Sequence, residues 1–214
     1  MAVLFNGILG GFKGKVGSVV GAKWKGIQTM RSLPEVVKRR HKSERCRHDR
    51  ACFGKAAILM RDALKLVRVG FGVQKKQRTA YVAAMSENRK FFYWEDDQVK
   101  IDFPQIKLSR GNLPRLDHFT IHNDLEDKLV VQWDWHESFY LNKVFCDLFL
   151  FVCREDLDYT KCYKADAKAS DLHFEIPITN DMKGHQLHIY GFYGINNELK
   201  TDRFSGTSYV TITL

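Results

Sequence analysis

The sequence lacks any apolar run long enough to cross a membrane. Its longest apolar segments, such as residues 148–153, have the length of a strand. The first residues also lack the basic stretch and the following apolar run of a secretory signal peptide. The five cysteines are an odd number without regular spacing, which favours reduced thiols over a disulfide framework. We therefore expect a cytoplasmic protein without a membrane span.

The sequence also lacks the short motifs of well-known enzyme classes. Gly14 and Lys15 are adjacent, as in a phosphate-binding loop, but position 9 is Leu instead of Gly and position 16 is Val instead of Ser or Thr. A dinucleotide fingerprint that starts at Gly70 would need glycine at position 75, which is Lys. Ser18 has no G-x-S-x-G setting. We predict that the protein is not an enzyme, and a site assembled from distant carboxylates remains the alternative.

One cluster of metal-capable side chains is present: His41, Cys46, His48 and Cys52. On a helix, His41 and Cys52 would lie about 16 Å apart, too far to bind one ion. Only His48 and Cys52 would be close enough to chelate, and none of the known zinc spacings is met. We therefore predict no metal and no other cofactor.

What the sequence does contain is a strong asymmetry of charge. The chain has 214 residues, of which 44% are hydrophobic, so it can form a substantial core, and its formal net charge is +9. Residues 1–100 carry 22 Lys or Arg against 8 Asp or Glu, whereas residues 101–214 carry 12 against 17. This asymmetry favours contact of the N-terminal half with a polyanion or an acidic protein surface. Solubility alone also accounts for a basic isoelectric point.

The first residues predict a hairpin rather than a helix. Seven glycines from Gly7 to Gly26 would each cost a helix about 1 kcal/mol relative to alanine. Residues 16–24 instead alternate between two faces, with Trp24 on the face of the valines and the lysines on the other. Lys25 and Gly26 predict a tight turn into a second strand, which Pro34 ends.

Two helices are predicted after the hairpin. Ser43 is a suitable N-cap for the first helix, which we expect to stop at Gly70. Its predicted core face has apolar residues at spacings of three and four, namely Phe53, Ala57, Met60, Leu64 and Val67. The second helix is expected from about Thr79 to Arg89.

Residues 116–214 contain seven segments with the apolar pattern of short strands. Seven strands in about a hundred residues are typical of an immunoglobulin-like sandwich. The segment around Ile189 is apolar on both faces and is expected to be the central strand. The predicted fold class is α+β. A basic Gly-rich hairpin and helical pair (residues 1–105) is followed by a seven-stranded immunoglobulin- or fibronectin-like β-sandwich (residues 106–214).

Four segments carry a resemblance to a family. They are GFKGKVGSVVGAKWKGIQTMRSLP near the start, GF at Gly70 and Phe71, IKLSRGNLP at residues 106–114, and SGTSYVTI near the end. The chain resembles a bacterial family with a domain of unknown function, in which a Gly-rich GKVG and WKG opening precedes a helical region, an LSRG-type link and a domain similar to fibronectin type III. The resemblance implies a fold and no activity. The segment RRHKSERCRHDR departs from the Gln-rich start that the family implies.

The strongest functional signal is a basic run after Pro34. Seven of the fifteen residues from Val36 to Arg50 are Lys or Arg, and only Glu44 and Asp49 offset the positive charges from residue 38 onward. Trp24, which stands between Lys23 and Lys25, is a candidate stacking platform, although such a tryptophan is more often a core residue. Charged helices are commonly only solvated. The predicted polyanion-binding residues are Lys23, Lys25, Lys38, Arg39, Arg40, Lys42, Arg45, Arg47, Arg50, Lys75, Lys76 and Arg78.

Two functional hypotheses follow. The leading hypothesis is a non-catalytic binding or assembly protein, in which the basic N-terminal region contacts nucleic acid or another polyanion and the sandwich binds a protein partner. Such contact is electrostatic, so affinity falls steeply with salt and base specificity is low. The alternative is a structural subunit of a larger assembly, such as a virion or surface appendage. In that case the Gly-rich opening adds strands to a neighbour and the chain forms homo-oligomers.

Overall fold

The computed structural model divides the chain into two compact units, Met1–Ser43 and Glu44–Leu214. The first unit contains one sheet, and the second contains the helices and the remaining sheets. The structure describes residues 3–4, 10–24, 26–33, 43–72, 78–125, 127–134, 146–168, 171–195 and 203–214.

The first unit is an antiparallel sheet. Its strands are β1 (Val3–Leu4), β2 (Phe12–Val16), β3 (Val19–Trp24) and β4 (Ile27–Ser32), in the order β1-β2-β3-β4. The prediction of one alternating strand through residues 16–24 is wrong. The chain turns at Gly17, whose φ of +56° suits glycine, and Val16 pairs with Val19. Val16 therefore lies on the opposite face from Val20 and Trp24.

The predicted hairpin between β3 and β4 is confirmed. Trp24 pairs with Ile27, and Gly26 between them has a φ of +85°. Lys25 lies outside the described residues. The ring of Phe12 packs over Gly21, where an added Cβ would lie 2.6 Å from Phe12 Cδ2. A larger side chain at position 21 would therefore displace this ring.

The second unit begins with three helices, α1 (Glu44–Asp62), α2 (Leu64–Gly70) and α3 (Ala80–Asn88). The predicted end at Gly70 is confirmed, but the single long helix is divided at Ala63 into α1 and α2. The second predicted helix is confirmed as α3. Its N-cap is Thr79, whose Oγ1 accepts a hydrogen bond from the Val82 N–H at 3.2 Å.

The predicted core face of α1 is wrong by about one residue. Phe53 is 54% exposed, whereas Cys52 and Ala56 are buried. Met60 and Val67 are buried, as predicted. The large apolar residues of the sequence suggest the wrong face because the side chains that meet the core in the middle of α1, Cys52 and Ala56, are small, which permits close packing of the helix.

A short hairpin follows α3. Its strands are β5 (Phe92–Glu95) and β6 (Gln98–Ile101), joined by a turn at Asp96 and Asp97. Both aspartates have positive φ, at 49° and 58°, a conformation that aspartate tolerates better than most residues. β5 packs on the helices through Phe92, which is buried.

The C-terminal part of the second unit forms two antiparallel sheets. Each of the seven predicted segments contains a strand, and the described residues include one further short strand, β13. The small sheet has the order β11-β8-β7, and in the large sheet β10, β9 and β12 are followed by β13 and β14, which both pair with β12. The strands are β7 (Asp117–Leu125), β8 (Lys128–Asp134), β9 (Asp147–Arg154), β10 (Thr160–Lys168), β11 (His173–Pro177), β12 (Gln186–Ile195), β13 (Arg203–Phe204) and β14 (Ser208–Thr213). The predicted α+β class is therefore confirmed.

Both faces of the large sheet are covered. One face packs against the small sheet in a core that includes Leu129 and Ile189. The other face packs against the helices in a core that includes Leu59 and Tyr190. β12 pairs with β9 on one side and β14 on the other, which confirms the predicted central strand. The boundary predicted after residue 105 lies within this unit, where helices and sheet share one core.

Candidate functional site

Three of the segments that carry the family resemblance meet in the second unit. Gly70 at the end of α2 lies against Ser109, and an added Cβ at Gly70 would lie 2.8 Å from Ser109 Cα. The Gly70 carbonyl accepts a hydrogen bond from the Arg110 N–H at 2.9 Å. Gly111 lies against the backbone of Phe204, where a Cβ would also collide. The glycines therefore permit a close crossing of backbone segments.

The hydroxyl of Thr207 completes this crossing. Its Oγ1 accepts hydrogen bonds from the N–H groups of Leu108, at 2.9 Å, and Ser109, at 3.0 Å. The Ser109 hydroxyl donates to the Ser205 carbonyl at 2.7 Å. The polar groups of these motifs thus satisfy one another inside the fold. These hydrogen bonds hold the backbone of residues 106–111 in place, so the motifs have a structural role.

The structure describes five of the residues predicted to bind a polyanion. Lys23 is exposed on β3, Arg78 is exposed just before α3, and three arginines are exposed at the start of α1. The three arginines of α1 are Arg45, Arg47 and Arg50. The other predicted residues lie outside the described part of the chain: Lys25, Lys38, Arg39, Arg40, Lys42, Lys75 and Lys76.

The arginines at the start of α1 carry uncompensated charge. Within the described ranges, Arg45, Arg47 and Arg50 form no ion pair with a carboxylate. Asp49, which lies among them in sequence, instead pairs with Arg89, with its Oδ1 3.2 Å from Arg89 Nη2. Of the two carboxylates that adjoin these arginines in sequence, Asp49 is therefore engaged by another cation, and Glu44 forms no ion pair among the described residues.

Two basic residues of the C-terminal sheets, Lys128 and Arg154, have partners of opposite charge. Lys128 lies 2.6 Å from Glu175, and this hydrogen bond raises the pKa of Lys128 and lowers that of Glu175. Arg154 lies 2.6 Å from Asp156, which lowers the pKa of the Asp156 carboxyl. These cations find their counter-charge inside the chain, in contrast to the arginines of α1.

The described part of the first unit is basic and has no acidic side chain. Its exposed cations are Lys13, Lys15, Lys23 and Arg31. Val20 pairs with Lys15 on one side and Arg31 on the other, so these two cations share the face of Trp24. Lys23 lies on the opposite face. Trp24 is 51% exposed. The cations on its face, Lys15 and Arg31, lie on β2 and β4, whereas the lysine next to it in sequence, Lys23, lies on the other face.

Two of the metal-capable side chains noted in the sequence, His48 and Cys52, take part in packing. The ring of His48 stacks on Trp94 with a centroid distance of 4.4 Å, and Cys52 is buried in the core. No group of three His, Cys, Asp or Glu side chains within the described ranges is arranged to hold a metal ion. His41 lies outside those ranges. His48 therefore serves to pack α1 against β5.

Sequence analysis missed one buried histidine. His188 on β12 is 4% exposed, its ring stacks on Phe103 with a centroid distance of 3.7 Å, and its Nδ1 lies 2.8 Å from the Tyr209 hydroxyl. Burial lowers the pKa of His188 to about 4, so the ring is neutral at pH 7. The Tyr190 hydroxyl donates to the Phe103 carbonyl at 2.9 Å. The cluster attaches residue 103 to the large sheet.

These features define an α+β protein with antiparallel sheets and an exposed basic surface. The sequence profile of the family of unknown function DUF6266 matches residues 11–197, and the chain belongs to this family. A search of curated proteins found no match to the chain. No helix in the described part of the chain is long and apolar enough to span a membrane.

Proposed function

We propose that the protein is a non-catalytic binding or assembly protein whose basic N-terminal region contacts nucleic acid or another polyanion. The observation that carries this proposal is the set of exposed arginines at the start of α1, which lack a carboxylate partner among the described residues. Exposed cations without an internal counter-charge are free to neutralise phosphates. The basic side chains of the first unit would add to the same electrostatic attraction.

The proposed binding mode follows from the chemistry of the guanidinium group. Arginine presents paired N–H donors that match two phosphate oxygens, and such contacts carry no base information. Each phosphate contact releases counter-ions. The logarithm of the binding constant should therefore fall with the logarithm of salt concentration by about 0.7 per contact on a single strand and about 0.9 on a duplex. Removal of three contacting arginines should reduce this slope by about 2 to 3.

Fluorescence anisotropy with labelled single-stranded and duplex DNA across a salt series tests the proposal. The variant combines Arg45→Ala, Arg47→Ala and Arg50→Ala, and its matched control combines Lys107→Ala, Lys161→Ala and Lys183→Ala, which removes the same charge from the C-terminal part of the chain. We expect weaker binding and a shallower slope for the arginine variant only. Absence of binding by the unaltered protein at low salt, or equal losses in the two variants, would overturn the proposal.

We also propose that the C-terminal strands form a fibronectin type III-like sandwich that binds a protein partner. The support is the facing of a β11-β8-β7 sheet against a sheet containing β10, β9, β12 and β14. The outer face of the small sheet would be the partner surface, because the helices cover the outer face of the large sheet. All five cysteines are free thiols, in keeping with a reducing, cytoplasmic location.

A structural subunit of a larger assembly is the second candidate, and β4 supports it. β4 ends the strand order of the first unit, and all six of its residues are exposed. An exposed edge strand offers unpaired N–H and C=O groups to a strand of another chain. Sedimentation without nucleic acid should then show self-association that increases with concentration. The double variant Ile27→Lys with Met30→Lys should abolish it, and a strictly monomeric protein would reject this candidate.

A further inference from the structure

α1 carries an exposed aromatic ring beside its unpaired arginines. At 3.6 residues per turn, Arg47, Arg50 and Arg61 lie on the side of α1 opposite the buried Ala56. This side, defined by Arg47, Arg50, Gly54, Ile58 and Arg61, is the arginine face. Phe53 lies at its border, 54% exposed. Positive charge and a flat apolar ring are therefore adjacent on one helix.

The centre of the arginine face is open backbone. A Cβ added at Gly54 would meet no atom within 4 Å, so a ligand can approach the helix closely at this point. Exposed apolar side chains, Phe53 and Ile58, flank Gly54 on either side. Arg50 and Arg61 lie about 16 Å apart along the axis on either side of it. Arg61 also pairs with Asp62, at 3.3 Å, while it remains 70% exposed.

The exposed arginines together with the ring of Phe53 favour one class of polyanion over the others. Exposed arginines alone attract any phosphate, and a single exposed ring alone is common on protein surfaces. Together they fit a ligand that offers flat rings and regularly spaced negative charges, as single-stranded nucleic acid does. In a duplex the base faces are stacked inside, out of reach of Phe53. An acidic peptide supplies the charge without the flat rings.

We propose that the arginine face binds single-stranded nucleic acid, with one base stacked on Phe53 over Gly54 and the adjacent phosphates held by Arg47 and Arg50. This inference rests on the proposed polyanion function and narrows its ligand to unpaired strands. Stacking tolerates any base because every base has a π face, so the site should discriminate strandedness more strongly than sequence.

The test compares Phe53→Leu with the matched control Tyr93→Leu, which removes another exposed ring, 46% exposed, from β5. Anisotropy titrations use a labelled single-stranded DNA, the same strand in a duplex, and an abasic strand with the same number of phosphates. We expect Phe53→Leu to weaken binding of the single strand about tenfold or more, since one stacked base contributes that much. Binding of the duplex and of the abasic strand, and the salt slope, should be unchanged.

The outcomes separate this inference from the proposed function. If the arginine variant weakens binding while Phe53→Leu binds the single strand like the unaltered protein, polyanion binding stands and stacking on Phe53 is rejected. Equal losses on the single strand, duplex and abasic strand also reject stacking, because the ring would then act through the fold. If none of the three ligands binds at low salt, both proposals fail. Thermal unfolding should show unchanged stability for Phe53→Leu, because the ring is 54% exposed and does not belong to the buried core.

Discussion

Replacement of Asn88 should destabilise the second unit more than its small polar side chain suggests. Asn88 ends α3 and is fully buried. Its Nδ2 donates to the carbonyls of Ala84, at 2.9 Å, and Lys107, at 2.8 Å. Its Oδ1 accepts from the Lys107 N–H at 2.7 Å. One side chain thus satisfies both backbone groups of a residue in the link between β6 and β7.

The expected magnitude follows from these bonds. Asn88→Ala leaves the N–H and C=O of Lys107 without their partner, at about 1 kcal/mol or more each, and also removes packed atoms from the core. The sum is about 3 kcal/mol, a large share of the roughly 5–15 kcal/mol that stabilises a typical domain. The unfolding midpoint should fall by roughly 6 to 12 °C for a chain of this length.

A second variant makes the reasoning testable by pH. Asn88→Asp keeps an oxygen that accepts from Lys107 but points the other carboxylate oxygen at two carbonyls, which disfavours ionisation and should raise the pKa of the new carboxyl above its usual value. The folded state then binds the proton more tightly, so the variant loses stability as pH rises from about 4 toward the raised pKa. Asn88→Asp should therefore be closer to the unaltered protein at pH 5 than at pH 8.

Urea unfolding followed by circular dichroism at both pH values measures these differences, and Asn88→Ala is the control without a titrating group. A loss below about 1 kcal/mol for Asn88→Ala, smaller than one unsatisfied buried group costs, would contradict the assigned hydrogen bonds. The same free-energy difference at pH 5 and pH 8 for Asn88→Asp would contradict the pKa argument.

Three further predictions concern the same unit. Because burial lowers the pKa of His188 to about 4, its protonation favours unfolding, and stability should fall by up to about 3 kcal/mol as pH falls from about 6.5 to 4. His188→Leu should remove that part of the pH dependence in urea titrations, whereas Tyr209→Phe should keep it. Gly70→Ala should cost about 2 kcal/mol or more by collision with Ser109, whereas Gly54→Ala, in open space, should stabilise by up to about 1 kcal/mol in thermal unfolding. Thr207→Val should cost about 2 kcal/mol and Thr207→Ser much less, because serine keeps the oxygen that accepts two backbone hydrogen bonds.

Sequence periodicity predicted the strands well because each strand face that meets a core carries apolar side chains at alternate positions. β8 alternates, with Val131 and Trp133 buried and Gln132 exposed. β12 is apolar on both sides because it is covered on both faces. Local patterns of two residues contain enough information for such strands, since burial depends on which face a side chain occupies.

The sequence is a poorer guide to features that depend on contacts between residues distant in the chain. The buried face of α1 follows the small residues Cys52 and Ala56, which only the close approach of its neighbours explains. Periodicity does not predict the turn at Gly17, because the valines on both sides of it continue an alternating pattern in sequence. Periodicity places Asn88 on the same side of α3 as Ala84 and Met85, but it does not predict the hydrogen bonds to Lys107, which lies nineteen positions away.

In the candidate site, too, some features follow from composition and others depend on packing. Charge counting identified Arg45, Arg47 and Arg50, because net charge is a property of composition. It did not reveal that Asp49 is engaged by Arg89, nor that Phe53 faces outward beside the arginines. Those facts depend on helix orientation, which a single sequence determines only through the core that the helix meets.

The shared core of the helices and the large sheet has a consequence for how the protein can be damaged or divided. The sheet face beneath the helices carries Phe149, Phe151 and Phe192, all buried. Proteolytic cuts at both ends of residues 44–105 that released this segment would expose the aromatic surface to solvent and make the remaining fragment prone to aggregation. Residues 44–105 thus also act as a cover for the sheet, and their loss would remove the rest of the molecule from the soluble pool.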